Sequence, residues 1–292
     1  MARMPHLVRS LSLALAASLV VACASAADGK QAKAPEGSMV TNATGVTLDA
    51  VIGGSWRTPK NMLRDQYRHP KETLSFFLVN PDKTVIEITP GGGWYTEILA
   101  PYLRDDGHYI AATWDDDIGG QPKYRYEENK ELRAKIASNN QMYGKVETRV
   151  FDASKPAFGP DDSADVVLTF RNVHNWVADD NAEAYFKAFY SVLKPGGTLG
   201  VVDHRAKPGT PLQKMKDSGY LTEDLVIKLA QDAGFRLDGK SEVNANPRDT
   251  TDHPNGVWTL PPTNQHDAKD DAKYKAIGES DRMTLRFVKP AK

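Results

Sequence analysis

The sequence contains a single cysteine, Cys23, among its 292 residues. A disulfide bond needs two cysteines, so none forms within the chain. The charges nearly cancel, with 37 lysines and arginines against 38 aspartates and glutamates. Without a basic excess or a basic stripe, the composition argues against nucleic acid as the main partner. Repeats at solenoid periods are also absent, and the 40% of hydrophobic residues is enough for one large globular core.

The start of the chain lacks an apolar run long enough to be read as a membrane span. Its longest run, Leu11 to Val21, is too short for that role and follows Arg3 and Arg9. A positive start before a short apolar stretch is typical of a signal peptide. We therefore predict a signal peptide over residues 1–22 and an exported, periplasmic protein.

Two cleavage sites stay open after this stretch. Ala24-Ser25-Ala26 fits the small-x-small site of an ordinary secretory signal. Val20-Val21-Ala22-Cys23 resembles the lipobox of bacterial lipoproteins, and a lipidated Cys23 would tether the protein to a membrane. The following residues are rich in Ala, Lys, Gly, Ser and Pro without periodicity. We predict a flexible tether over residues 23–50 and one folded domain over residues 51–292.

The stretch from Thr84 to Leu99, TVIEITPGGGWYTEIL, predicts a strand, a glycine turn and the start of a helix. Val85, Ile86 and Ile88 form a β-branched run of the kind that is buried on both faces of a parallel sheet. The glycines at 91–93 then allow backbone angles that a side chain would forbid. A helix N-terminus with a bare backbone offers free N–H groups, so we predict that this turn holds a carboxylate, a phosphate or a ribose.

Apolar runs and turn residues predict six further strands, most of them separated by helices. Five lie at 108–114, 146–151, 165–170, 235–243 and 283–288, and one follows the Pro-Gly-Gly turn at 195–197. Such alternation favours a parallel α/β sheet. The last two strands lack a helix in the usual place between them, which indicates an antiparallel pair at one end. Residues 51–79 predict a helical preface, whose polar cluster at 64–70 we interpret as a solvated face rather than the border of a ligand site.

Polar residues follow several of these strands, at the edge where open α/β sheets bind their ligands. Asp115 comes after the second strand, where nucleotide-binding folds hold ribose hydroxyls, although a solvated acidic turn is the alternative. The fourth strand runs into a polar loop, Arg171 to Trp176. His174 in this loop is our first candidate for a general base, and His204 after the fifth strand is the second. Either histidine could instead be bonded to the backbone.

The order of these elements resembles the class I S-adenosylmethionine-dependent methyltransferases over residues 73–288. The features that carry the likeness are Glu87 before the glycines, the Pro-Gly-Gly turn and the antiparallel end of the sheet. A bacterial group of predicted exported methyltransferases is similar also in the stretches GVWTLPP (256–262) and GESDRMT (278–284). The resemblance implies an α/β, Rossmann-like, doubly wound sheet of seven strands. That sheet would be mostly parallel, with an antiparallel C-terminal strand and a helical N-terminal preface.

The resemblance also implies S-adenosylmethionine as the cofactor. The implied cofactor-binding residues are Glu87, Thr89, Gly91, Gly92, Gly93, Asp115, Asp152, Ala153, Arg171 and Asn172. Glu87 would lie near the methionine amino group, Asp115 would take the ribose hydroxyls, and Asp152 with Ala153 would lie by the adenine. The loop that begins with Arg171 would face the methyl group and its acceptor. Thr89 stands where the general family pattern has a glycine.

The resemblance implies a methyltransferase that acts on a small molecule in the cell envelope, with His174 and His204 as the catalytic candidates. We predict no metal site. No Asn-Pro-Pro-aromatic motif follows the fourth strand, which argues against an amino-group acceptor of the nucleobase or glutamine kind. The connection over residues 244–280 is unusually long for a compact domain, and we hypothesise that it is a lid over the acceptor pocket.

Two alternative functions stay open. S-adenosylmethionine is made in the cytosol, so the second hypothesis for an exported protein with this fold is a non-catalytic binding protein for a nucleoside-like small molecule. A nicotinamide dehydrogenase is the third hypothesis. It is weakened because Gly91-x-Gly93-x-x-Thr96 lacks the third glycine of that fingerprint.

Overall fold

A computed structural model describes residues 45–291 of the chain. The predicted signal peptide, Cys23 and most of the predicted tether lie outside these residues. The first helix, α1, begins at Leu48, whose side chain is buried. The folded domain therefore begins at residue 48 or earlier, rather than at the predicted boundary of residue 51.

Twelve α-helices and seven strands make up this described part. The strands are β1 (Thr84–Ile88), β2 (His108–Trp114), β3 (Glu147–Phe151), β4 (Ala164–Phe170), β5 (Leu193–His204), β6 (Arg236–Ser241) and β7 (Arg282–Val288). The helices are α1 (Leu48–Ile52), α2 (Pro59–Met62), α3 (Asp65–Arg68), α4 (Pro70–Phe76), α5 (Thr96–Leu103), α6 (Lys123–Ser138), α7 (Asn140–Tyr143), α8 (Val173–Ala178), α9 (Ala182–Val192), α10 (Leu212–Ser218), α11 (Glu223–Asp232) and α12 (Asp271–Ile277). None of the helices between residues 45 and 291 is long and apolar enough to cross a membrane.

The seven strands form one sheet in the order β3-β2-β1-β4-β5-β7-β6. β1 pairs in parallel with β2 on one side and with β4 on the other. β7 is inserted between β5 and β6 and runs antiparallel to both. The predicted fold, a mostly parallel seven-stranded sheet with an antiparallel C-terminal strand, is confirmed. The strand order reverses at β1 and β4, and their carboxyl ends form the crevice in which such sheets bind ligands.

β1 is the centre of two apolar layers. Ile86 and Ile88 point to a layer that includes Phe186 and Phe189 of α9, and Val85 points to the opposite layer with α4 and α5. Burying each of these β1 side chains contributes about 1.5–3 kcal/mol to stability. The β-branched run is thus buried on both faces, which fixes the strand's register and holds its carboxyl end rigidly under the glycine turn.

A buried carboxylate joins the helical preface to the sheet. Glu97 of α5 is fully buried, and its Oε1 accepts hydrogen bonds from the Thr58 hydroxyl at 2.6 Å and from Lys135 Nζ at 2.5 Å. The indole of Trp94 donates to the Asn61 carbonyl at 2.9 Å. These contacts bind the short helix α2 against the glycine turn, and so place this part of the preface beside the carboxyl ends of β1 and β4.

Candidate active site

A cavity of about 630 Å³ lies above the carboxyl ends of β1, β4 and β5. The glycine turn forms its floor, and the preface, α6, the start of α8 and the segment 257–263 form its walls. Eight of the predicted site residues line it: Glu87, Thr89, Gly91, Gly92, Arg171, Asn172, His174 and His204. The structure therefore brings both catalytic candidates and the glycine turn to one cavity.

Glu87 presents a buried carboxylate to this cavity. Its side chain is 2% exposed, and the Tyr109 hydroxyl donates to Oε2 at 2.6 Å. Burial raises the pKa of Glu87 to about 7, although the Tyr109 hydrogen bond and the charge of Arg68 act in the opposite direction. A cation placed beside this buried carboxyl group binds favourably, because the cation stabilises the ionised form.

Thr89 holds an unusual backbone conformation at the start of the turn. Its φ of +45° lies in the left-handed region, which is strained for a β-branched residue. Its hydroxyl is buried and has no hydrogen-bond partner among the described residues. Because a buried hydroxyl without a partner is costly, this oxygen is available for a ligand. Thr89 thus occupies the glycine position and also adds a polar group there.

Helix α6 packs against the other side of the glycine turn. A Cβ atom on Gly92 would lie 2.9 Å from Glu131 Oε2, and one on Gly93 would lie 2.7 Å from the Lys135 side chain. Gly93 faces this helix rather than the cavity, so its role is to allow close packing at φ +79°. Glu128 also lines the cavity, and burial raises its pKa to about 7. Sequence analysis missed Glu128 and Glu131, since no motif marks them.

The predicted loop after β4 is largely a helix, because α8 begins at Val173. Its first turn presents His174 to Asp203, which lies in β5 and is fully buried. The two side chains meet at 2.9 Å between His174 Nδ1 and Asp203 Oδ1, and Asp203 Oδ2 accepts the backbone N–H of His174 at 3.2 Å. A carboxylate only accepts, so the ring proton sits on Nδ1 and leaves Nε2 free to take a proton. Asp203 is not among the residues predicted for the site.

His204 lies beside this pair, with its ring centre 5.0 Å from that of His174. Its Nδ1 lies 2.5 Å from the Ser280 hydroxyl. Burial lowers the pKa of His204 well below its ordinary value, and the charges of His174 and several arginines lower it further. His204 is therefore neutral at neutral pH. It is held by a side chain rather than by the backbone, so the backbone-bonded alternative is wrong for this residue and for His174.

The ligand atoms of His174, Asp203 and His204 lie within 4.8 Å of one another, a spacing that a metal ion could use. Our sequence prediction named no metal site. Asp203 already accepts three N–H groups, two from His174 and one from the backbone of His204 at 2.7 Å. The positive charge of nearby Arg171 also acts on this group. Both observations disfavour a cation here.

Arginines from three parts of the chain surround Glu279 next to the cavity. Arg64 Nε lies 2.6 Å from Glu279 Oε1, while Arg282 and Arg68 lie 3.1 Å and 3.5 Å from Oε2. Burial raises the pKa of Glu279, but these positive charges outweigh it and hold the pKa well below its ordinary range. Arg64 and Arg68 line the cavity, so our interpretation of the preface cluster as a solvated face was wrong for them.

Besides Gly93, three predicted cofactor residues do not line the cavity. Asp115 Oδ1 accepts the backbone N–H of Asp117 at 3.0 Å, and Asp152 Oδ1 accepts both the N–H and the hydroxyl of Ser154 at 2.8 Å. Ala153 accepts a hydrogen bond from Asn181. All three lie just beyond the ends of β2 and β3, while Trp114 and Tyr124 form this side of the cavity. The ribose and adenine roles stay predictions.

The long connection closes the remaining side of the cavity. Trp258 lies in a 3₁₀ turn (Gly256–Thr259), with its ring centre 6.1 Å from that of His174. Asp249 holds the segment in place: it accepts the Tyr220 hydroxyl at 2.9 Å and the backbone N–H of Asp281 at 2.8 Å. These hydrogen bonds hold the segment in place, so it forms a fixed wall of the cavity.

Residues 86–201 match a family model described as a methyltransferase domain. The fold is that of the S-adenosylmethionine-dependent methyltransferases. A SAM-dependent methyltransferase from Aquifex aeolicus is similar at 16% identity and a TM-score of 0.52, over 84% of this chain and 99% of that one. The [4+2]-cyclase SpnF is similar at 14% identity and a TM-score of 0.55, over 77% and 82% of the two chains. No curated protein sequence matches the chain. The enzyme class predicted from the sequence agrees with the family match.

Proposed function

We propose that the protein transfers a methyl group from S-adenosylmethionine to a small molecule. The observation that carries this proposal is one cavity in which a glycine turn and a buried carboxylate face an aspartate–histidine pair. The glycine turn and Glu87 suit a ligand with a cationic amine. The pair formed by His174 and Asp203 suits the removal of a proton from a second molecule.

The residues of the turn fit the methionine end of the cofactor. Glu87 would hold its amino group, because a cation relieves the cost of ionising a buried carboxyl. The unpartnered hydroxyl of Thr89 and the bare backbone at Gly91 and Gly92 would hold neighbouring polar atoms. When bound, S-adenosylmethionine supplies an electrophilic methyl group on a sulfonium.

His174 is the proposed general base. Its Nε2 would accept the proton of a hydroxyl or an acidic carbon on the acceptor as the new bond to the methyl group forms. Asp203 holds the ring with its proton on Nδ1 and stabilises the imidazolium that results. His204, neutral and 5.0 Å away between ring centres, would orient the acceptor. Positioning of the two reactants is the main contribution that a methyltransferase has to make.

Residues 244–280 are the proposed lid. Trp258 packs beside His174, where its indole would exclude water from the reacting atoms. Deleting residues 249–265 would also remove Asp249, which anchors Tyr220 and Asp281. A substitution of Trp258 therefore tests the lid more cleanly than a deletion does.

The proposed location is the cell envelope, by way of export and a lipid on Cys23. The support is the positive start, the short apolar run and the single cysteine beside a lipobox-like stretch. If Cys23 anchors the protein, Cys23→Ser should move it from the membrane fraction to the soluble fraction of its host cell. Equal partition of variant and wild type would contradict the lipid anchor.

A non-catalytic binding protein is the second candidate. SpnF, a [4+2]-cyclase of similar fold, shows that this architecture does not fix the reaction. A nicotinamide dinucleotide is a poorer fit, because Glu87 would repel a pyrophosphate at the turn. Calorimetric titration of the full chain with S-adenosylmethionine, S-adenosylhomocysteine and NAD separates these functions. We expect micromolar binding of the first two and none of NAD; no binding of either sulfur compound would favour the binding protein.

A further inference from the structure

We propose that the acceptor is an anion, with a carboxylate or phosphate group bound by Arg171 and Arg64. This inference rests on the proposed function, because it names the class of molecule that receives the methyl group. Arg171 would hold the anionic group and Arg64 would close it from the preface side. His174 lies three residues after Arg171 and on the same wall of the cavity.

Arg171 is the cation that the protein itself leaves without a partner. It follows β4 at φ +62°, and its backbone N–H donates to the Val202 carbonyl at 2.7 Å. Its side chain lines the cavity, and its guanidinium makes no hydrogen bond or ion pair with any residue from 45 to 291. Guanidinium groups pair strongly with carboxylates and phosphates, often through two parallel hydrogen bonds. Arg171 is therefore set to receive such a group from outside the protein.

The neighbouring arginines are also only partly satisfied. Among residues 45–291, Glu279 is the one carboxylate in contact with Arg64, Arg68 and Arg282. The Nη2 atom of Arg64 and the Nε atom of Arg68 are buried without a hydrogen-bond partner in the described part of the chain. The charge of Glu279 also acts on Arg171, so four guanidinium groups lie around this carboxylate, while Glu128 and Asp203 act on Arg171 without contacting it. The excess positive charge beside the cavity attracts an anion.

The bound cofactor would neutralise only one of these arginines. Its single carboxylate is bonded to the same carbon as its amino group, so it would lie close to Glu87 if Glu87 holds the amine. Arg68 is the arginine whose charge acts on Glu87. Both arginines act on His204, but Arg171 also interacts with Asp203 and precedes His174 by three residues, at the base's end of the cavity. Arg68 is thus placed for the cofactor, and Arg171 remains for a second anion.

The proposed methyl transfer involves only the acceptor, the cofactor and His174. With its anionic group on Arg171, the acceptor would present a nearby hydroxyl to His174. The O–H bond breaks and its proton passes to His174 Nε2. The oxygen electron pair forms the bond to the methyl carbon, while the carbon–sulfur bond breaks and its electrons stay on sulfur, which becomes a neutral thioether. The anionic group of the acceptor is unchanged by the reaction.

Calorimetry on the full chain tests this subsite without turnover. Inorganic phosphate, methylphosphonate and acetate are titrated into the wild type and into Arg171→Gln, with Arg236→Gln as the control. Arg236 is exposed on β6, and its side chain forms hydrogen bonds with Leu237 and Asp238 of the same strand. We expect Arg171→Gln to weaken binding of the preferred anion about 10- to 100-fold, the loss typical of a charge-assisted contact, and Arg236→Gln to leave it unchanged. The better of the phosphorus and carboxylate probes identifies the anionic group.

The same titrations are repeated with saturating S-adenosylhomocysteine. We expect the anion to bind still, with an affinity within about twofold of that in its absence. Loss of anion binding would overturn the inference, because the anion would then occupy the cofactor's carboxylate site. Equal affinity of Arg171→Gln and wild type, or no binding of any probe, would also overturn it. If Arg171→Gln does not fold, Arg64→Gln takes its place. Anion binding without S-adenosylhomocysteine binding would contradict the proposed function but not the anion site.

Discussion

At the scale of single residues, two buried carboxylates of the site have opposite tasks. Asp203 meets three N–H groups and fixes His174, so its charge is compensated by the protein. Glu87 receives only the Tyr109 hydroxyl, so burial raises its pKa to about 7. The first carboxylate positions a base, and the second is left for a ligand cation.

The Asp203–His174 pair predicts a particular tautomer and its catalytic use. In nitrogen-15 NMR of the histidines, we expect His174 to carry its proton on Nδ1 in the wild type and to lose this preference in Asp203→Asn. Once an acceptor has been identified, His174→Gln should lower its turnover about 10²- to 10⁴-fold. His108→Gln, on the exposed end of β2, is the matched control. Full turnover in His174→Gln would remove His174 as the base.

Glu87 predicts a dependence of stability on pH in the ligand-free protein. Its folded-state pKa of about 7 lies above its ordinary 4.5, so protonation of Glu87 favours the folded protein. This contribution to the free energy of unfolding is fully present below pH 4.5 and is lost as the pH rises through 7. The loss amounts to about 3 kcal/mol of unfolding free energy. Glu87→Gln should lack this part of the slope, and should be more stable than the wild type at pH 8.

Urea unfolding at pH 5 and pH 8 measures this difference. Glu72→Gln, on the exposed side of α4, should behave as the wild type does. Glu128 adds to the slope in all three proteins, so the comparison between variants is the informative quantity. Parallel slopes for Glu87→Gln and wild type would mean that Glu87 is already ionised in the folded protein.

Sequence analysis could find Glu87 and His174 because each lies near the carboxyl end of a predictable strand. It gave no role to Asp203, although Asp203 stands in the predicted fifth strand. The contact with His174 depends on the pairing register of β4 and β5, which local patterns do not determine. Glu128 was missed for a similar reason, since its approach to the glycine turn is set by how α6 packs.

At the scale of elements, the glycine turn is confined between the cavity and α6. Gly92→Asp would place a second carboxylate against Glu131, whose Oε2 lies 2.9 Å from the Cβ position. Repulsion would push the new side chain into the cavity. We expect the affinity for S-adenosylhomocysteine to fall at least about 100-fold, the equivalent of about 3 kcal/mol.

The matched control for the glycine turn is Gly119→Asp. A Cβ on Gly119 meets nothing within 4 Å, and Gly119 does not line the cavity. Calorimetry should give the wild-type affinity for this variant. Retained affinity in Gly92→Asp, measured on protein that is folded by circular dichroism, would show that the cofactor does not approach the turn.

The lid segment predicts a separation of acceptor binding from cofactor binding. Trp258→Ala opens the wall beside His174, so we expect the KM for the acceptor to rise about tenfold while the affinity for S-adenosylhomocysteine stays within twofold. Leu212→Ala, on exposed α10, is the control. An unchanged KM in Trp258→Ala would show that this side chain does not confine the acceptor.

Strands were easier to predict than the elements around the site. The apolar runs of β1, β2 and β4 are buried on both faces, so composition alone marks them. The helix α8 was read as a loop, because its six residues include asparagine and histidine and are too few to show a helical period.

At the scale of the whole molecule, the strand order explains why distant residues meet. The reversal between β1 and β4 brings Glu87 and His174 to one crevice, and β7 brings the Glu279 region to the same edge. A mostly parallel sheet could be predicted from the alternation of strands and helices, and its antiparallel end from the missing helix between the last two strands. The position of the preface could not, since α2 and α3 have four residues each and the start of α2 is held by a hydrogen bond from Thr58 to Glu97, 39 residues further along.

A crystal structure of the full chain grown with S-adenosylhomocysteine would show directly whether the cofactor binds over the glycine turn with its amino group at Glu87. We predict that the amino group of the ligand lies within hydrogen-bond distance of Glu87, that the ligand passes over Gly91 and Gly92, and that its sulfur faces His174 Nε2. Arg171 should remain free of the ligand's carboxylate. Density for the ligand outside this cavity, or a cavity that stays empty at saturating ligand, would contradict the account.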